Sequence, residues 1–336
     1  MRNCHNRHRD NRCGIAALTI QGRELRPVVT QFPVVDTVRL EQSEDFFQNA
    51  PVGFVLTGLD GTARTYNRAF SRLAGWPWPE SPASAVFRPV SPDSGDPVDV
   101  SGLLAQDQVV FDLPVAMRPH SAQRPLLANA SALRDDAGHL CAVRWILRPD
   151  LRHAIPSIEN DPTDYLLPGP DLVFDNDAAR WADELGADDD VRPAVRAMDD
   201  TQAAQRQDEL DDFIKHAPAA IHFVGLRGTV LRSNDIDLAV AGYSDAPQEF
   251  IGSEVRHAYA DQSLLEDILG RWDEGRPSMN LRARLVSRDG TVAPVVIFST
   301  SRIADGAFQN TRDVVFPDAD PNSSPTRTRH FSWPSN

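Results

Sequence analysis

Residues 49–70 read NAPVGFVLTGLDGTARTYNRAF, and residues 216–237 read HAPAAIHFVGLRGTVLRSNDID. In both, strand-like apolar residues run into a Gly-punctuated turn, a short polar strand follows, and an Asn stands at the head of a helical pattern. Ala50, Pro51, Gly58, Leu59, Gly61, Thr62 and Asn67 return 167 residues later as Ala217, Pro218, Gly225, Leu226, Gly228, Thr229 and Asn234. Gly138, Arg144, Pro149 and Asp150 return as Gly306, Arg312, Pro317 and Asp318 at an offset of 168. An offset that drifts by so little means two copies of nearly equal length and one fold. The sequence therefore divides into a basic, disordered segment at 1–44, a first domain at 45–150, an acidic and partly helical linker at 151–211, a second domain at 212–318 and a disordered tail at 319–336.

The second copy is the easier to read. IHFVGL is a strand, RGTVLRSN a turn and a second strand, and Asn234 stands where an N-cap accepts a free backbone N–H from the helix DIDLAVAG, which Gly242 stops. In DQSLLEDILGRWDEG, Leu264, Leu265, Ile268, Leu269 and Trp272 form one apolar helix face, and the helix is expected to end at Gly275 and Pro277. MNLRARLV alternates, Arg288-Asp289-Gly290 is a hairpin turn, and TVAPVVIFSTSRI and FQNTRDVVF are the last strands. The fold class is α+β: in each domain a five-stranded antiparallel sheet with helices on one face. The first copy keeps its strands VVFDLPVAM and PLLANASAL, but WPWPESPASAVFRPVSPDSGDP puts a Pro-rich loop where the second copy has helices. In TQAAQRQDELDDFIKH, Leu210, Phe213, Ile214 and Ala217 fall at helical spacing, so a helix leads into the second domain and offers a stripe that could pair with its counterpart in another chain.

With 336 residues, 41% of them hydrophobic, the chain can build two cores. A formal charge of -14 argues against a nucleic-acid or anionic-membrane binder. The exception is the start, where Arg2, Arg7, Arg9 and Arg12 cluster. Cys4, His5, His8 and Cys13 fit no zinc template, and three cysteines without framework spacing suggest a reducing compartment. No apolar run is long enough to span a bilayer, and a cytoplasmic location is expected.

The phrases HAPAAIHFVGLRGTVLRSN, AGYS, FIGSEV, LLEDIL, RARLVSRDGTVAPVVI and FQNTR together resemble the PAS family of sensory domains, especially those upstream of bacterial sensor histidine kinases. The first copy is similar in DFFQNAPVGFVLTGLDGTARTYNRAFSRLAGW and in its strands, and departs through the middle. The resemblance implies helices folded over one face of the sheet around a small cavity, in which some members hold haem, flavin or a metabolite while others hold nothing and serve for docking.

Neither haem nor flavin is indicated, and the cofactor is unknown. Photoactive flavin chemistry needs a cysteine near the helical middle, and neither copy has one there. His257, in SEVRHAYAD, is the nearby candidate for a haem ligand, but it precedes the amphipathic face and reads better as a solvated or capping residue. His222 lies between Ile221 and Phe223, so either those two fill the core with His222 outside, or His222 points into the cavity beside Val224. The first arrangement is preferred, yet His222 is the best candidate for a polar contact to a buried ligand, with Val224, Asn234, Leu281 and Ile297 around it. Asn67 and Asn234 read first as helix caps.

No phosphate-cradling loop, zinc spacing or nucleophile motif supports catalysis, and no catalytic or metal residues are assigned. The expectation is a signal-transduction sensor or adaptor that binds a small ligand, a partner signalling protein or a second copy of itself, without catalytic output. The alternative is the sensory portion of a histidine kinase lacking or separated from its catalytic domains, as in a two-component system. Pro317, by disfavouring helix at Phe316, argues against a rigid helical exit from the second domain.

Overall fold

The computed structural model describes residues 37–76, 86–106, 109–116, 126–135, 137–149, 192–273, 278–304 and 307–318. The N-terminal basic cluster, the Cys4–Cys13 group, the turn at Gly275–Pro277, most of the linker and the tail lie outside the described residues.

The first domain comprises α1 (Thr37–Asn49), β1 (Gly53–Thr57), β2 (Ala63–Tyr66), α2 (Arg68–Ala74), α3 (Val100–Gln106), β3 (Val109–Val115), β4 (Leu126–Arg134) and β5 (Leu140–Pro149). Two linker helices follow, α4 (Arg192–Arg196) and α5 (Asp200–Lys215). The second domain comprises β6 (Ala220–Gly225), β7 (Val230–Ser233), α6 (Asp235–Ala241), α7 (Pro247–Phe250), a 3-10 turn at Val255–Ala258, α8 (Gln262–Asp273), β8 (Ser278–Val286), β9 (Val292–Ala304) and β10 (Ala307–Pro317). Each sheet is five-stranded and antiparallel, in the orders β2-β1-β5-β4-β3 and β7-β6-β10-β9-β8. The first and last strands of each repeat thus lie side by side at the centre. In the first domain Pro114 sits on the edge strand β3, where a missing N–H disrupts no central ladder.

Asn67 and Asn234 play the same part in the two copies. Each side-chain oxygen accepts from the third residue of the following helix, Phe70 or Asp237, and from the first strand, Phe54 or Ile221. Each amide donates back to the chain entering that strand, to Val52 or to Ala219. Both residues are buried, so one side chain ties helix, strand and lead-in together. Gly75 and Gly242 end the helices in the left-handed conformation.

Both faces of each central strand are buried. On β6, Ala220, His222 and Val224 face the helices, and Ile221 and Phe223 face the other way, toward α1, where Phe223 meets Phe46. The domains join across these second faces. Helices α1 and α5 pack on each other through Phe47 and Phe213, both against Phe54, while Arg206 forks onto Glu44 at 2.7 and 3.0 Å. The join is reciprocal: Arg312 on β10 binds Asp45 of α1 at 2.7 Å, and its repeat partner Arg144 on β5 binds Asp212 of α5, the repeat partner of Asp45. The apolar stripe of α5, expected to offer itself to another chain, is taken up here by α1 and the first domain: Leu210, Phe213, Ile214 and Ala217 are all buried.

Candidate ligand-binding site

The two domains differ most on the helix-facing side of the sheet. In the first, Val55, Phe70 and Trp145 occupy equivalent places on the central strands and the capped helix, and aromatic contacts fill the space among them. Phe70 meets Tyr66, Trp76 and Phe87 with ring centroids 5.8, 5.2 and 5.3 Å away, and Phe87 meets Trp145 at 5.2 Å. At the same three places the second domain carries His222, Asp237 and Asp313. There a cavity of about 530 Å³ opens between the sheet, α6, α7 and the β8–β9 hairpin.

His222 forms part of its floor. Sheet register sets Asp313 of β10 directly across from it, and the N-cap geometry of Asn234 delivers Asp237 from α6. All three are 4% exposed. Nδ1 of His222 lies 3.0 Å from Asp237 Oδ1, and Nε2 lies 3.5 Å from Asp313 Oδ2, an ion-pair contact without a hydrogen bond. Ser233 donates to Asp237 at 2.5 Å and Thr311 to Asp313 at 2.6 Å. Burial by itself would drive the proton off His222. The charge and hydrogen bond of Asp237, helped by the charge of Asp313, outweigh it and push the imidazole up to about 9. Burial raises Asp313, opposed by the His222 charge and by the hydroxyls of Ser299 and Thr311. Tyr259, which also lines the cavity, is raised by burial and by the charges of Asp313 and Asp237, so its phenol stays neutral in a negative field.

The walls are apolar, among them Val240, Phe250, Val255, Leu285 and Val295. At the mouth Arg288 spans the hairpin and the helices. Its guanidinium reaches Asp245 at 3.1 Å and Glu249 at 2.9 Å and lies over the ring of Tyr243, while its backbone N–H donates to Ala241.

Of the site residues singled out from sequence whose side chains are described, His222 alone lines the cavity. It faces inward beside Val224, against the preferred reading, because Ile221 and Phe223 are needed at the interdomain face. Val224 and Ile297 are buried in the core behind the cavity wall, and Asn234 is engaged in its four-way cap. Leu281 stands opposite Ile297 in the β8–β9 register, and its side chain lies outside the described residues. His257 is exposed on the 3-10 turn and is not a lining residue, so it is displaced as a haem ligand, while its neighbours Val255, Ala258 and Tyr259 line the cavity. Among the described residues no His, Cys, Asp or Glu cluster has metal-binding geometry. No described helix is long and apolar enough to cross a membrane. Asp237, Asp313 and Tyr259 were not singled out. A comparison of the copies would have found the first two, because each replaces an aromatic residue at a repeat-equivalent position.

The strand order, with helices packed on each sheet, gives each half the PAS-like fold that the resemblance implies, twice in one chain. No family model matches the chain, and no curated protein matches it. Among solved structures it is similar to the PAS domain of an HTR-like protein from Haloarcula marismortui, at 16% identity over 35% of this chain and 96% of that one, with a TM-score of 0.31. It is similar to a PAS domain from a two-component sensor histidine kinase, at 17% identity over 35% of this chain and 100% of that one, TM-score 0.30. A third is an RNA-binding light-oxygen-voltage receptor, at 13% identity over 79% of this chain and 95% of that one, TM-score 0.29.

Proposed function

We propose that the chain is a signalling module whose second domain binds a small molecule and whose first domain is a filled scaffold that receives the signal, without catalytic output of its own. The observation that carries this reading is the exchange of Val55, Phe70 and Trp145 for His222, Asp237 and Asp313 beneath a cavity. Burying a histidine between two aspartates is costly, and an apolar core at the same positions is a solution this chain already uses. Function is the reason to retain the charges. Volume and apolar walls with a few converging polar groups suit a small-molecule site.

Strand β10 would carry the signal. It sets Asp313 against His222 of the cavity floor and, one residue earlier, Arg312 against Asp45 on α1. A ligand that shifts the cavity face of β10 thereby loads the clasp between the domains and the α1–α5 pair.

The test is denaturation of the purified full chain followed by mass spectrometry of released small molecules, together with a thermal-shift screen of the same protein. A released molecule, or a screen compound that raises the melting temperature of the wild type and not of His222→Gln, supports the reading. No release and no such compound would overturn it. ATP turnover by the chain would overturn the absence of catalytic output.

A further inference from the structure

The cavity lined by His222 and Tyr259 has its charges matched before any ligand arrives. The imidazolium of His222 faces the carboxylate of Asp237 at 3.0 Å, and Asp313 stands outside the lining, where burial favours its neutral acid. At the mouth Arg288 is engaged by Asp245 and Glu249, and Asp289 accepts from the Ser287 hydroxyl and the Thr291 N–H. A charged head inside would meet no counter-ion left to pair with it, and an unpaired charge against apolar walls is costly.

What the lining leaves unengaged is donors. Both oxygens of Asp237 already accept, from His222 and from Ser233. His222, held protonated beside Asp237, has an N–H at Nε2 with no hydrogen-bond partner, sealed in the floor. Tyr259, whose phenol burial keeps neutral, retains its O–H. Among the described residues the Tyr259 hydroxyl makes no hydrogen bond, and it is not one of the sealed, unpartnered atoms, so it is open to the cavity it lines.

We propose that this cavity takes an uncharged carbonyl compound, a ketone or ester with an apolar body, its oxygen accepting from the Tyr259 hydroxyl and turned toward the unpartnered Nε2–H of His222. This rests on the reading of the second domain as a small-molecule site. A carbonyl oxygen brings acceptor lone pairs and no donor, which matches what the lining offers. An alcohol would add an O–H whose natural acceptors, the Asp237 oxygens, are already engaged. An ionic amphiphile can rest only with its head in water at the mouth, which leaves the inner donors unmet. In the first domain Val55, Phe70 and Trp145 fill the equivalent space.

2-Octanone labelled with 13C at its carbonyl and the isosteric hydrocarbon 2-methyl-1-octene share a shape and differ in the acceptor. With the full chain at neutral pH, the carbonyl resonance of bound 2-octanone should lie downfield of its position in hydrocarbon solvent, because a hydrogen bond draws electron density from the carbonyl carbon. Tyr259→Phe should bind 2-octanone about fivefold more weakly and move the resonance back toward the hydrocarbon position. The same variant should bind 2-methyl-1-octene as wild type does, which also shows that it is folded. Octanoate should bind at least about tenfold more weakly than 2-octanone. The inference is overturned if the bound carbonyl resonates where it does in hydrocarbon, if Tyr259→Phe leaves the resonance or the ketone affinity unchanged, or if octanoate binds as tightly as the ketone. Each of those results leaves the small-molecule reading standing. Binding of neither probe also overturns the inference, and the small-molecule reading falls with it only if the release and thermal-shift experiments find nothing.

Discussion

Alkaline titration of His222 should remove most of what the Asp237–His222–Asp313 cluster contributes to stability, and the size of the effect follows from the site. The imidazole moves from its ordinary 6.5 to about 9 in the folded chain. A raised pKa means that the folded state holds the proton more tightly, so the contribution is complete below 6.5 and is lost as pH rises through about 9. At about 1.4 kcal/mol per pKa unit, the whole contribution is roughly 3 kcal/mol. Asp313, raised by burial, has the same sign: its ionisation is harder in the folded state, so it too makes stability fall with rising pH. The assay is urea denaturation of the full chain at intervals across this range, for wild type and His222→Gln. Wild type should lose about 3 kcal/mol, and His222→Gln, less stable at the start, should fall less steeply over the same window. A flat wild type, or a variant with the wild-type slope, would refute the protonated, carboxylate-flanked histidine.

The two interdomain clasps should respond unequally to loss of their carboxylates. Asp45→Ala removes the carboxylate that the buried Arg312 and its neighbour Arg302 share and should cost about 3–5 kcal/mol by thermal or urea denaturation. Asp212→Ala should cost less, because the Asp212 side chain is 43% exposed, so water reaches the pair, and Arg144 keeps its bond to the Ala132 carbonyl. Asn234→Ala removes a cap and strands the buried carbonyl of Ala219, and should destabilise the second domain by about 2 kcal/mol or more, read by hydrogen exchange of β6. Gly242→Ala forces a left-handed residue at φ 79° and sets a Cβ 3.2 Å from Arg288 Cβ. A loss of about 1 kcal/mol is expected, with faster exchange at the Arg288 amide that donates to Ala241.

Much of the architecture is written locally. The repeated Asn, Gly and strand phrases encode caps, left-handed turns and pleat alternation, which act over a few residues and read the same in any context. That is why the duplication, both Asn caps, the Gly242 stop and the hairpin at Arg288–Gly290 are all legible. Alternation also placed His222 on one of two faces, but a period of two cannot say which face meets the cavity when both are buried. The choice was made by α1 and α5, which cover Ile221 and Phe223 from a distance in sequence that no local pattern reports. The same holds for the α5 stripe, whose apolar spacing announces a partner without naming α1.

By itself, the sequence determined the repeat, the antiparallel sheets and the capped helices, because hydrogen-bonding and turn chemistry are properties of neighbouring residues. Only the tertiary structure decided that His222, Asp237 and Asp313 meet. Cross-strand register and the cap at Asn234 bring three segments into one low-dielectric space, and only there do their protonation states become coupled.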